Sequence, residues 1–169
     1  KNLEVLALAP GYSLYVSSAF RNGNVVREDL ASLPGAIREV EFLQNHFAGS
    51  YLYKEAANEA AFKKEAPKFN VLHLAMHGLV NNEYPKFSSL VMDKAPSSSE
   101  DDILYAYEIQ NMQLNPDLVV LSACETGVGK FQQGEGVLSI GRGFMYAGTP
   151  SLVMTLWSLN DYSGSQIIE

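Results

Sequence analysis

Two residues in this sequence combine reactive side chains with matching positions, Cys124 and His77. Cys124 follows the apolar run Leu118–Leu121, and His77 follows the apolar run 71–75. A thiol becomes a good nucleophile when a neighbouring imidazole favours its thiolate. The same imidazole, once charged, can donate a proton to a leaving amine. Gly78, beside the histidine, lets its backbone N–H approach a ligand closely. That N–H and the N–H of Cys124 could together bind the oxyanion of an acyl-transfer intermediate. Each residue alone has a plainer reading, the histidine as a hydrogen-bonded structural residue and the cysteine as an inert buried thiol. Their matching places at two strand ends favour the chemical one.

Other motifs fail on spacing. Gly129-Lys130 ends like a phosphate loop, but Cys124 stands where the loop needs its first glycine. Gly141-Arg142-Gly143 would need a glycine where Tyr146 stands to make a dinucleotide fingerprint. His73 and His77 are four apart, which on a helix would suggest a metal pair; on a strand the spacing puts His73 on a sheet face, buried between layers. With one cysteine and no clustered carboxylates in the sequence, no metal site and no cofactor are expected. Glu125 and Glu135 flank the cysteine segment and read as structural acids.

The elements that must position His77 and Cys124 follow from apolar patterning. Segments 3–8, 71–75, 118–121 and 151–156 read as short buried strands, with shorter candidates at 51–53 and 89–92. Segment 14–20 fits either strand or loop. Pro34-Gly35 opens a helix whose stripe is Ile37, Val40, Leu43 and Phe47. Asn58 caps a helix over 59–66, which stops before Pro67. A short helix is expected at 104–112 and an almost wholly apolar, buried one at 136–146. Strands alternating with helices predict an α/β sandwich around a mostly parallel sheet, in one domain over 1–169. If the strands before His77 and Cys124 are parallel neighbours, both residues emerge at one edge, beyond the strands' carboxyl ends where ligands gather. The helix between them supplies the crossover that parallel pairing needs.

Composition narrows the setting. The 47% hydrophobic and 18% charged fractions suit a globular domain, and 169 residues can bury a sizeable core. A net charge of −7 repels phosphate backbones, so nucleic acid is an unsuited partner. Lys63, Lys64 and Lys68 form the basic cluster and read as a solvated helix face. No stretch approaches the roughly 20 apolar residues of a membrane helix. The single cysteine excludes an internal disulfide and fits a reducing compartment.

The segments 71–78, VLHLAMHG, and 118–127, LVVLSACETG, resemble the histidine and cysteine motifs of CHAT domains, relatives of caspases, separases and gingipains. The likeness continues through Gly134-Glu135-Gly136-Val137, the FMYAG of 144–148 and the LWSLND of 156–161. It covers the chain from about Ala31 onward, and its most specific part is the cysteine motif followed by Gly-Glu-Gly. The resemblance implies a caspase-like α/β/α sandwich, a Cys124 nucleophile and a His77 partner. It also implies a bacterial, cytoplasmic setting, with a regulatory partner acting through N-terminal repeats that this chain does not contain. Caspase-like sheets usually carry further elements after the point where this chain ends, so a fragment incomplete at its C-terminal side is expected.

Within that family, caspases hold aspartate with arginines, whereas separases and gingipains hold a basic residue with a carboxylate. Asp161, beyond the third strand, is therefore expected in the floor of the first specificity pocket, with Trp157 as a wall stacking on a guanidinium. Equally open at this stage, Asp161 caps a helix near Ser163 and Trp157 lies in the core. The expected function is a cysteine endopeptidase acting on proteins or peptides after a basic residue. The alternatives are a catalytically silent interaction or regulatory module of the same fold, and a hydrolase or transferase acting on something other than a peptide. Segments 95–102 and 127–134 are candidates for ordering by a partner.

Overall fold

Short, buried apolar segments at intervals along the chain pair side by side in parallel, which requires a crossover between each. The computed structural model describes residues 3–12, 16–19, 26–95, 99–122, 124–125, 135–154 and 165–166. In chain order, β1 (Val5–Ala9) leads to a hairpin of β2 (Val16–Ala19) and β3 (Val26–Asp29), then to α1 (Pro34–His46) and β4 (Gly49–Tyr53). Next come α2 (Glu59–Glu65), β5 (Val71–Leu74), β6 (His77–Leu79), β7 (Ser89–Val91) and β8 (Ile103–Tyr105). α3 (Ala106–Ile109), β9 (Leu118–Leu121), β10 (Cys124–Glu125), α4 (Glu135–Tyr146) and β11 (Leu152–Met154) follow.

The main sheet has the order β11-β9-β5-β1-β4, and every neighbouring pair in it is parallel. The strands that precede His77 and Cys124 are adjacent, with Val71 opposite Leu118 and Leu74 opposite Leu121. Right-handed crossovers decide which face each helix covers. The chain steps one way across the sheet from β1 to β4 and the other way from β4 through β5 and β9 to β11. α1 is thus set on one face and α2, α3 and α4 on the other. Side chains agree: Glu39 of α1 meets His73 of β5, while Phe62 of α2 packs edge-on against Phe144 of α4 at 6.5 Å. The result is the caspase-like α/β/α sandwich. A second sheet, β10-β6-β7-β8, hangs from its carboxyl-terminal edge; β10 is parallel to β6 and the other pairs are antiparallel.

Local chemistry explains the helix ends. Pro34 occupies the first turn of α1, and Asn58 Oδ1 accepts the Ala61 N–H at 2.9 Å to cap α2. Gly148, just after α4, has φ 112°, and a Cβ there would lie 2.3 Å from the Leu114 carbonyl oxygen.

Three expectations change, and one left open, segment 14–20, is settled. The buried face of α1 is Gly35, Ala36, Glu39 and Val40, while Phe47 lies past the helix and is exposed. An acid therefore occupies the inner face, because His73 and Ser122 supply donors for it. The helix expected at 104–112 is shorter, since residues 103–105 pair with β7 instead. The helix expected at 136–146 is buried through Ile140, Gly141, Gly143 and Phe144, but Met145 and Tyr146 face outward. Segment 14–20 contains one arm of the hairpin, β2. Among the described residues no helix is long and apolar enough to cross a membrane.

Candidate active site

Past their ends, β5 and β9 each pass into a strand of the second sheet, β6 and β10. These two run parallel, and Cys124 is the register partner of His77, with Glu125 opposite Gly78. Neighbouring strands lie about 4.7–4.9 Å apart, so the two backbones stand as close as pairing allows. Gly78 sits between Leu90 on one side and Glu125 on the other.

His77 is 1% exposed as a residue. Its Nε2 lies 2.7 Å from the carbonyl oxygen of Ala31, in the stretch before α1. A carbonyl only accepts, so Nε2 carries the proton, and in the neutral ring Nδ1 is the basic nitrogen. The His77 backbone N–H donates to the Tyr12 hydroxyl at 2.9 Å, and that hydroxyl donates to the Val91 carbonyl at 2.7 Å. The Tyr12 ring lies against the imidazole, with centroids 4.6 Å apart.

A second buried network lies beneath. Glu39 Oε2 accepts from His73 Nε2 at 3.0 Å, and Glu39 Oε1 accepts from Ser122 Oγ at 2.9 Å. Being a carboxylate, Glu39 makes His73 Nε2 and the Ser122 hydroxyl the donors. Ser122 lies two residues before Cys124, so this network ties the end of β9 to α1 and β5.

Away from the strand ends, Glu59, Glu100 and Glu108 are close enough together to share a cation. The Lys63 ammonium fills that place, at 2.6 Å from Glu59, 2.9 Å from Glu100 and 3.2 Å from Glu108. Burial pushes the Glu59 carboxyl up to about 7, against the opposing pull of Lys63. The hydrogen bond from Lys63 holds Glu100 below the usual carboxylate range. The Lys63 end of the basic cluster is thus an ion-pair hub, whereas the Lys64 and Lys68 side chains reach solvent.

The sequence singled out neither Tyr12, Val91 and Ala31 around His77, nor Glu39 and Ser122 around His73, nor the three acids around Lys63. Glu39 carried a signal, being an acid on the same helical face as Ala36, Val40 and Leu43. Tyr12 carried a weaker one, standing past the end of a strand now seen to neighbour β5. Trp157 and Asp161 lie outside the described residues, as do 127–134 and the middle of segment 95–102.

The sequence model of the family described as CHAT domain matches residues 16–169, from β2 onward. No curated protein matches the chain.

Proposed function

The chain belongs to the CHAT domain family, related to caspase-like cysteine peptidases, and from that membership we propose that it is a cysteine endopeptidase with Cys124 as nucleophile and His77 as its acid–base partner. The observation that carries this reading is the register of Cys124 opposite His77, with the His77 Nε2–H committed to the Ala31 carbonyl. In that tautomer Nδ1 takes the thiol proton, and the thiolate attacks the scissile carbonyl carbon. Backbone N–H groups of Gly78 and Cys124 receive the oxyanion. The imidazolium returns its proton to the leaving amine, and water, deprotonated by the same nitrogen, hydrolyses the thioester. Asp161 selects Arg or Lys before the cut, and Trp157 stacks on the substrate guanidinium. The setting is a bacterial cytoplasm, with a regulatory partner acting through repeats outside this chain.

Release of a fluorophore from peptides carrying Arg, Lys or Asp before the cut tests the reading, on wild type, Cys124→Ala and Asp161→Ala. Cleavage after Arg is expected, absent in Cys124→Ala and losing its Arg preference in Asp161→Ala. Cleavage after Asp would remove the Asp161 pocket and keep the peptidase. Cleavage that persists in Cys124→Ala would remove the nucleophile.

A second reading, a silent module of the same fold, draws on the burial of His77, whose ring a substrate must reach. No cleavage of any peptide, together with no labelling of Cys124 by a thiol-directed probe, would favour it.

A further inference from the structure

We infer that Tyr12 is a positioning residue that sets the imidazole of His77 for proton exchange with Cys124, a role that rests on the peptidase reading above. The placement is direct. β1 neighbours β5, and Tyr12 lies just past the carboxyl end of β1, at the edge where β5 gives way to β6.

Three features act together on His77. The Tyr12 hydroxyl stands between His77 and Val91, which are register partners across β6 and β7. It accepts the His77 N–H at 2.9 Å and donates to the Val91 carbonyl at 2.7 Å, so it joins the two strands at the catalytic position. The Tyr12 ring then bears on the imidazole at 4.6 Å between centroids, tilted by 55°. Packed that close, the Tyr12 ring limits how the imidazole can turn. Backbone and side chain of His77 are thus both held by one residue.

Tyr12 is itself held against its own preference. Its φ is 54°, in the left-handed region that a bulky side chain avoids. The carboxylate of Asp93, just beyond β7, stabilises that turn, with Oδ2 accepting the N–H of Gly11 at 2.8 Å and of Tyr12 at 3.3 Å. Asp93 is fixed in turn, its Oδ1 accepting from Lys94 N–H at 2.9 Å and its N–H donating to Ala57 at 3.0 Å. Strain held in place by several contacts beside a reactive group fits a positioning role. A tyrosine serving the core alone would need one partner for its hydroxyl and no strained backbone.

The chain has a single cysteine, so alkylation by iodoacetamide reads Cys124 without ambiguity. Alkylation rates are measured from about pH 4 to about pH 9, beside kcat and KM, for wild type, Tyr12→Phe, Tyr12→Leu and His77→Ala. Wild type is expected to react well below the ordinary thiol pKa of about 8.5, and His77→Ala to return to it. Tyr12→Phe keeps the ring and strands a buried N–H and C=O; kcat is expected to fall about tenfold at unchanged KM. Tyr12→Leu removes the ring as well, and its alkylation profile is expected part of the way toward that of His77→Ala. Tyr12 variants whose alkylation profile and kcat overlay wild type would overturn the role while leaving the dyad intact. A wild-type profile that overlays His77→Ala would instead overturn the dyad and the Tyr12 role with it. Should Tyr12→Leu not fold, Tyr12→Phe decides alone, since a mere loss of stability leaves kcat at permissive temperature unchanged.

Discussion

His73 and His77 stand four residues apart, both buried, and meet opposite kinds of partner. His73 Nε2 donates to the carboxylate of Glu39, whose other oxygen takes the Ser122 hydroxyl. His77 Nε2 donates to the backbone carbonyl of Ala31, and its main chain and ring lean on Tyr12. A carboxylate partner ties the first ring into a charged structural knot that joins α1, β5 and the end of β9. A carbonyl fixes which nitrogen of the second ring carries the proton without adding a formal charge. The same residue type, on one stretch of backbone, is thereby divided between holding the sheet together and, on the proposed reading, serving the cysteine opposite.

Removing each ring in turn separates the two roles most directly. His77→Ala is expected to lower turnover by roughly 10²–10⁴, the usual worth of a general acid–base group. Its urea midpoint is expected to fall less than that of His73→Ala. His73→Ala leaves the Glu39 carboxylate buried without its N–H partner, and a buried group left so typically costs about 1–3 kcal/mol. Equilibrium unfolding in urea, read beside alkylation of Cys124, separates the two outcomes. If His73→Ala kept its stability and lost the thiol's reactivity, the assignment of the two rings would be inverted.

The sequence made much of this arrangement readable, for reasons that differ by residue. Segments 71–74 and 118–121 are apolar but for His73 because the sheet is covered on both faces, and that length fits a strand. Strand parity was enough to place His73 between layers. The helix expected at 104–112 starts only at Ala106, because Ile103, Leu104 and Tyr105 gain more from pairing with Val91, Leu90 and Ser89 than from helical spacing. Ala31 was illegible, since it acts through a carbonyl that every residue has. Tyr12 was nearly so, because its role needs the register of β6 and β7 and a left-handed turn, neither of which its letter encodes. Glu39 could have been found: an acid on an inner helical face must meet donors, and His73 was already placed on a buried sheet face.

A buried carboxylate without a matched set of donors behaves differently, with a modest effect on stability. Glu39 has an imidazole N–H on one oxygen and a hydroxyl on the other. Glu59 shares one ammonium, that of Lys63, with Glu100 and Glu108. Burial holds the Glu59 carboxyl at about 7, above its ordinary 4.5. The folded chain therefore binds that proton more tightly than the unfolded chain does. The stability linked to it is fully present below about pH 4.5 and is lost as pH rises through about 7. Glu59→Gln removes the titration and keeps the shape, so the variant should gain on wild type as pH climbs across that window. Urea midpoints measured at both ends of the window check this. A difference between variant and wild type that stays constant with pH would mean that Lys63 satisfies Glu59 as fully as His73 and Ser122 satisfy Glu39. Like charges around a single ammonium would then be no poorer a solution for a buried acid than a matched pair of neutral-side donors.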